Sequence, residues 1–317
     1  MSASKSVKKL CLLVVVHTLP VHSAAEAQHK PLSRVFVAGI EERYDASITL
    51  KVQTQSVSME TVASMTYVMP QTHAAEVRLK WRATRRILSV RPDGQAEVEE
   101  DLTETQPCEG IQRPRENSDA KLQASLASLC TSLRAPVTTR YTEDSKGSLH
   151  EAAAPALAPD LGEDAPPLLA LWLRRAVRPS VVFPSLAIEA GARAKQELRP
   201  PPDLLKNAQG SESAEWLDAR SNTPAASLHV VQQLGWDAQA RATTATDVTT
   251  HPGGVPRRET FFADSITTVS LLDGSVLRAD RSASRTTSHR MESVAGLPEP
   301  PEFSSKLTIS ITIERLP

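Results

Sequence analysis

The chain has 317 residues, with 36 Lys and Arg against 37 Asp and Glu and a formal net charge of −1 at pH 7. A charge balance this close to neutral gives no global field to hold a polyanion, which argues against nucleic-acid binding as the main function. Hydrophobic residues make up 40% of the sequence and aromatic residues 4%, a composition sufficient for one or two ordinary cores.

The first 27 residues are organised like a cleaved secretory signal. Lysines precede a short apolar segment, residues 10–16, and an Ala-Glu-Ala motif stands directly before Gln28. Because the apolar segment is far shorter than the roughly 18 residues needed to span a bilayer, we expect export and cleavage before Gln28. Cys11 opens the apolar segment instead of standing at the cleavage point, so we expect no lipid anchor. No later apolar run reaches membrane-spanning length, and we expect no transmembrane segment in the mature chain, residues 28–317.

Alternation of apolar and polar residues predicts strands in the first half of the mature chain. Residues 48–53 and 62–69 alternate in this way. Residues 77–102 predict a hairpin, in which apolar residues alternate with basic ones, Pro92-Asp93-Gly94 forms the turn and acidic residues return. A further hairpin is predicted over residues 137–150.

Two helices interrupt the strands. Residues 117–134 place leucines at helical spacing, and "PPLLALWLRRAVRP", residues 166–179, predicts a second helix. Residues 151–167 are predicted to be an Ala/Pro-rich linker, and residues 199–213 a polar joint.

Strands return after residue 214. We predict strands over residues 215–219, 227–234 and 236–246, a hairpin around Asp273-Gly274, and a final alternating strand over residues 306–316.

This order of elements favours an α+β, β-dominated fold: a curved antiparallel up-and-down sheet or half-barrel with two covering helices. The predicted organisation is a signal over residues 1–27, an N-terminal curved sheet with two helices over residues 28–205, and C-terminal strands over residues 206–317. The pattern leaves open whether the C-terminal strands join the first sheet or form a second one.

Several stretches resemble a class of uncharacterised exported bacterial proteins with two related halves of curved sheet. They are "ERYDASITLKVQTQS", "PPLLALWLRRAV", "VVFPSLAIEAGARAKQE", "FFADSITTVSLLDGSVLRADRSASRTTSH" and "KLTISITIERL". At fold level such proteins are similar to the LolA-like lipoprotein-carrier half-barrels, in which a curved sheet and covering helices enclose an apolar cavity. The resemblance is a rhythm of strands and turns and implies no catalytic residue.

The cysteines after the leader are Cys108 and Cys130. Export to an oxidising compartment favours a disulfide between them. The alternative is two unpaired thiols, with Cys130 on the apolar side of a helix and Cys108 in a loop. No Cys-x-x-Cys motif is present, so we expect no redox chemistry.

Motifs of known catalytic or metal sites are missing from the sequence. His150, His229, His251 and His289 lie in unrelated segments, without a second ligand at metal spacing. The hairpin turn explains Asp273. We therefore expect a protein that is not an enzyme and needs no metal or cofactor.

Two sets of residues are candidates for binding. Apolar side chains cover more than one side of the second helix, so the helix must be buried on several sides or line a cavity. The ligand-binding candidates are Trp81, Leu169, Trp172 and Leu173. A basic stripe on the 77–86 segment, including Arg85 and Arg86, gives the interaction-surface candidates, which are Arg78, Lys80 and Arg82. The competing interpretation of this stripe is a solvated strand face that pairs with Glu97, Glu99 and Glu100.

The leading hypothesis is an exported, non-catalytic envelope protein, periplasmic or extracellular, that binds a hydrophobic ligand or lipid. One alternative is a structural module that binds a protein partner in the envelope. The other is a hydrolase with an unrecognised site.

Overall fold

The computed structural model describes residues 31–62, 65–112, 120–134, 136–150, 165–198, 208–218, 224–240, 255–290 and 302–317. The strands are β1 (Glu41–Val62), β2 (Met65–Val90), β3 (Ala96–Gln112), β4 (Val137–Glu143), β5 (Leu149–His150), β6 (Arg193–Glu197), β7 (Gln209–Asp218), β8 (Ala225–Ala240), β9 (Val255–Ser270), β10 (Val276–Arg290) and β11 (Glu302–Arg315). The helices are α1 (Ala120–Leu133) and α2 (Ala165–Ala176).

The 11 strands form one antiparallel sheet in the order β5-β4-β3-β2-β1-β11-β10-β9-β8-β7-β6. Each half of the sheet runs up and down, and β1 pairs with β11 to join the halves. Strands before and after residue 206 therefore lie in the same sheet. The sheet is open, since β5 and β6 stand at its two ends. β6 precedes residue 205 in the chain, yet it pairs with β7.

One face of the sheet is apolar because buried side chains recur at every second residue of its strands. In β1 they are Tyr44, Ala46, Ile48, Leu50 and Val52. In β11 they are Leu307, Ile309, Ile311 and Ile313. We call this the inner face and the opposite one the outer face. The buried residues of both helices belong to the same hydrophobic cluster as the inner face.

The predicted hairpins are confirmed. β2 pairs with β3, β4 with β5, and β9 with β10. Gly94, Gly147 and Gly274 occupy the three turns with φ values of 84°, 82° and 68°. This left-handed region costs glycine little and other residues more, which explains why the turn residues could be recognised from the sequence.

Several strands differ from the sequence predictions. The predicted strand over residues 62–69 is not a separate one, because β1 ends at Val62 and β2 runs from Met65 to Val90, and β3 extends past residue 102 to Gln112. β7 begins at Gln209, inside the predicted polar joint, and β6 was not predicted. The predicted break between residues 234 and 236 is wrong, because β8 runs through Gly235 without a shift in its pairing to β9. Gly235 is paired with β7 on one side and β9 on the other. This pairing keeps the glycine extended although glycine has a low intrinsic propensity for strands. The predicted extension to residue 246 lies outside the described residues.

Replacing Gly147 by Ala should destabilise the protein more than the same change at Gly191. Both residues have φ values of 82°, so each substitution costs roughly 1–2 kcal/mol in backbone conformation. A Cβ on Gly147 would also lie 1.8 Å from the carbonyl oxygen of Val181, whereas one on Gly191 would meet nothing within 4 Å. The clash should add about 1–3 kcal/mol. Urea unfolding of the disulfide-bonded protein measures the free energy of unfolding of the two variants. Equal losses of stability would contradict the close approach of the 144–147 turn to Val181.

Candidate functional site

The four predicted ligand-binding residues lie in one hydrophobic cluster. Trp81, on the inner face of β2, and Leu169 and Leu173, on α2, are at most 2% exposed. Trp172 is partly buried against the same cluster. The structure brings them together, but three of the four are packed as core side chains.

Helix α2 also presents apolar side chains to solvent. Leu168 and Leu171 are 46% and 38% exposed, and their i, i+3 spacing places them side by side on the helix. Val182, in the segment that follows the helix, is 61% exposed. Of the two expected arrangements, burial on several sides or lining a cavity, the structure does not show the first. One side of it packs in the core and another forms an exposed apolar strip.

Helix α1 is fixed to the sheet and to α2 by specific contacts. Cys108 of β3 and Cys130 of α1 form a disulfide with a Cα–Cα distance of 5.4 Å. Arg174 of α2 donates a hydrogen bond to the carbonyl oxygen of Ser132 at 2.8 Å. The covalent bond fixes α1 to β3, and the hydrogen bond joins the C-terminal turns of the two helices.

Charged side chains are buried at one end of the inner face. Glu42 on β1 lies directly opposite Arg85 on β2. Arg34 donates two hydrogen bonds of 2.8 Å to the Glu42 carboxylate, and Tyr44 donates one of 3.2 Å. Arg85 also forms an ion pair with Glu143 of β4. The prediction that Arg85 belongs to a solvated basic stripe is wrong, because the alternation of β2 turns Arg85 inward and Arg86 outward.

A second buried pair continues this row. Glu100 of β3 lies opposite Arg85 and receives a hydrogen bond of 3.1 Å from Arg178. The Arg178 guanidinium stacks 4.3 Å from the centre of the Tyr141 ring, and Tyr141 donates a hydrogen bond to Glu100 at 3.4 Å. Glu100 was predicted to pair with the exposed basic stripe. It instead faces the core, where Arg178 is its partner.

Arg281 of β10 holds the chain that leaves α2. Its guanidinium donates hydrogen bonds to the carbonyl oxygens of Ala176, at 2.6 Å, and Arg178, at 3.0 Å. It also bonds to the carbonyl oxygen of Ser180. Helix carbonyls at a C-terminus lack partners within the helix, so Arg281 satisfies the carbonyl of Ala176, the last residue of α2. The Arg178 carbonyl also accepts a hydrogen bond from the backbone N–H of Ser180.

Burial dominates the electrostatics of this end of the inner face. It raises the pKa of Glu100 and Glu143 above the ordinary value, although the arginines beside them act in the opposite direction. Burial lowers the pKa of Arg281 to about 10. These directions agree with the cost of removing charged groups from water. The ion pairs and hydrogen bonds offset that cost and fix the segment after α2 to the sheet.

The interaction-surface candidates lie on the outer face. Arg82 pairs with Asp45 at 2.9 Å, and Arg78 pairs with Glu76 at 2.5 Å. Lys80 lies between them on the same face and is exposed. The partners of Arg78 and Arg82 are therefore acids of β1 and β2. Arg86 of the same stripe pairs with Glu99 of β3 at 3.7 Å, as the competing interpretation predicted.

The remaining candidates are explained by local contacts. Asp273 accepts hydrogen bonds from the backbone N–H and the hydroxyl of Ser275 at 3.0 and 2.8 Å. Although burial acts to raise it, these hydrogen bonds lower the pKa of Asp273 below its ordinary value. His150 lies near Asp144, and His229 contacts Asp264 at 2.9 Å.

Of the other two histidines considered above, His289 is on β10 and His251 lies outside the described residues. Across the parts of the chain that the structure describes, no group of three or more His, Cys, Asp or Glu side chains could hold a metal ion. Within those same ranges, neither helix has the length and apolar character needed to cross a membrane.

Comparison with known proteins identifies no family. No protein-family profile matches the sequence, and neither does any curated protein. Among solved structures, the InvG secretin-domain β-barrel from the Salmonella SPI-1 injectisome aligns over 88% of this chain and 63% of that chain, with 12% identity and a TM-score of 0.16. Pseudomonas aeruginosa OccK7 (OpdD) aligns over 89% of this chain and 100% of that chain, with 11% identity and a TM-score of 0.23.

The secretin PilQ of the V. cholerae type IV competence pilus aligns over 92% of this chain and 63% of that chain, with 10% identity and a TM-score of 0.15. The chain thus spans less than two thirds of the InvG and PilQ chains. At such low TM-scores the likenesses support no conclusion about fold or function.

Removing a buried cation should cost far more stability than removing an exposed one. Arg178→Met leaves the Glu100 carboxylate buried without its partner, for which we expect a loss of about 3–5 kcal/mol in the free energy of unfolding. Arg82→Met removes an exposed pair with Asp45 and should cost at most about 1 kcal/mol. Urea unfolding at neutral pH compares the two variants. Similar losses would show that the Glu100–Arg178 pair is not buried as described.

Proposed function

We propose that this protein is an exported, non-catalytic protein of the cell envelope, periplasmic or extracellular, that binds a hydrophobic ligand such as a lipid between α2 and the inner face of the sheet. The main support is the amphipathic arrangement around α2. Leu169 and Leu173 are buried against the inner face, whereas Leu168 and Leu171 on the same helix are exposed. An exposed apolar strip next to an apolar core is typical of sites that bind ligands or membranes.

The contacts at the two ends of α2 suggest how a ligand enters. The C-terminal end is held by Arg281 and by the Arg178–Glu100 pair. The exposed Leu168 lies near the opposite end of the helix. In this proposal the sheet is a half-barrel, the helices cover its apolar face, and the N-terminal turns of α2 move to admit an acyl chain.

Binding would use the predicted residues in two steps. The ligand would first meet the exposed strip of Leu168 and Leu171, and then reach Trp172, which is only partly buried. Displacement of Leu169 and Leu173 from the hydrophobic cluster that also contains Trp81 would open the site fully. The fold-level resemblance to lipoprotein carriers leads to the same ligand class, and the secretion leader is consistent with an envelope location.

The outer face gives less support to a protein-interaction module. Arg78 and Arg82 already pair with acids of the same sheet. A partner protein would have to replace those exposed ion pairs, each worth at most about 1 kcal/mol.

The proposal is tested by native mass spectrometry of the mature protein, purified from an exporting bacterial host. Organic extraction and lipid analysis then identify any bound ligand. We expect a reproducible lipid adduct on residues 28–317. Leu171→Glu should remove it while leaving the protein folded, because the side chain is already exposed and a carboxylate there opposes contact with an acyl chain.

The matched control is Leu217→Glu, which changes an outer-face residue of similar exposure, 43%, and should leave the adduct unchanged. A clean mass without ligand, and no uptake from added phospholipid vesicles, would overturn the proposal.

A further inference from the structure

A groove of about 1130 Å³ crosses β9, β8, β7 and β6, the four neighbouring strands at one end of the sheet. Six polar residues of its lining are Lys195, Glu197, Gln209, Ser211, Gln233 and Thr260. They alternate along their strands with inner-face residues, three of which, Gly210, Leu234 and Phe261, also belong to the lining. Most of the groove therefore lies on the outer face of these strands.

These six polar side chains have no hydrogen bond or ion pair with any residue that the structure describes. The outer face elsewhere is different, since ion pairs join Arg82 to Asp45 and Arg86 to Glu41. Among the described residues, these donors and acceptors therefore have no partner and are available to a ligand.

The middle of the groove combines a gap with an aromatic ring. Gly235 lies between Gln209 and Thr260 on the neighbouring strands, and its missing side chain leaves the floor open. Phe262, paired with Gln233 on β8, is 38% exposed and belongs to the same lining. A ligand on this floor would lie against the ring and within reach of the amide.

The chemistry of the lining selects the ligand. One lysine and one glutamate leave the groove without net charge, so it does not attract polyanions or polycations. Two amides and two hydroxyl groups both donate and accept hydrogen bonds, which suits a ligand rich in hydroxyl groups. An exposed ring suits the flat C–H face of a sugar, because the face of an aromatic ring is negative and C–H groups are weakly positive.

From this geometry we propose that the groove between β6 and β9 binds a neutral linear glycan, with Phe262 stacking on one sugar ring and Gln209, Gln233 and Thr260 hydrogen-bonding to its hydroxyl groups. None of the residues that line the groove lies on α2 or β2, which carry the proposed lipid-binding residues, so the two sites are separate.

Isothermal titration calorimetry with chitohexaose and with maltohexaose tests this inference on the disulfide-bonded mature protein. We expect saturable binding of at least one of these neutral hexasaccharides, weakened tenfold or more by Phe262→Ala. Gly235→Trp should abolish binding by filling the floor, and it should fold because a Cβ there meets nothing closer than 3.9 Å.

Ile266→Ala is the matched control. It truncates another exposed outer-face residue of β9, 42% exposed, outside the groove, and should leave the affinity unchanged. The inference is overturned if neither sugar binds at millimolar concentration, if Phe262→Ala binds like the unmodified protein, or if a neutral peptide binds in place of the sugars. Lipid content, measured on the same variants, should not change, so failure here is distinguishable from failure of the proposed lipid site.

Discussion

The rest of the architecture depends on the pairing of β1 with β11. These strands come from opposite ends of the described chain and pair in register from Tyr44↔Arg315 to Gln55↔Ser304. On the inner face the pairing sets Ile48 beside Ile311, and burying such a side chain stabilises the fold by roughly 1.5–3 kcal/mol. Without this contact the two halves would expose two strand edges and divide the apolar face. Because β1 and β11 are far apart in the sequence, the entropic cost of bringing them together must be overcome before the core can form.

Buried ions fix the segment that follows α2 to that face. Arg85 stands between Glu42 and Glu100 on the two neighbouring strands, so charges of alternating sign cross the sheet. Replacing a buried ion pair by hydrophobic residues of similar volume often leaves the free energy of unfolding unchanged. The row of buried charges therefore fixes the relative position of the strands more than it stabilises the fold. Arg281 is bonded to the end of α2, Cys130 is bonded to β3, and Arg174 joins the last turns of the two helices. These directional contacts therefore lie at the C-terminal ends of both helices.

Local rules predicted much of this fold from the sequence. The alternation around Trp81 and the spacing of leucines in α1 depend only on neighbouring residues, and glycine turns such as Gly274 have a specific backbone requirement. The predicted hairpins and both helices followed from these rules. The break at Gly235 did not, because pairing with β9 overrode the local preference.

The chemistry of the interior was much less accessible from the sequence. Arg85 and Glu100 were assigned to solvent on the general exposure of charged residues, although strict counting of alternate positions along β2 places Arg85 on the side of Trp81. The contact of Arg281 with Ala176 joins distant segments and has no local signature. The outer-face groove depends on four strands being neighbours, and one of them, β6, carries too short a pattern to be recognised alone.

Both proposed ligand surfaces require a single sheet with defined inner and outer faces, so the order and register across β1 and β11 are the central claim. Cysteines introduced by Thr49→Cys and Ser310→Cys would lie opposite each other on the outer face, close to disulfide distance. Oxidation followed by proteolysis and mass spectrometry should detect this cross-link. Thr49→Cys combined with Lys306→Cys, four residues out of register, should give none. Equal cross-linking of both pairs, or of neither, would contradict the single sheet.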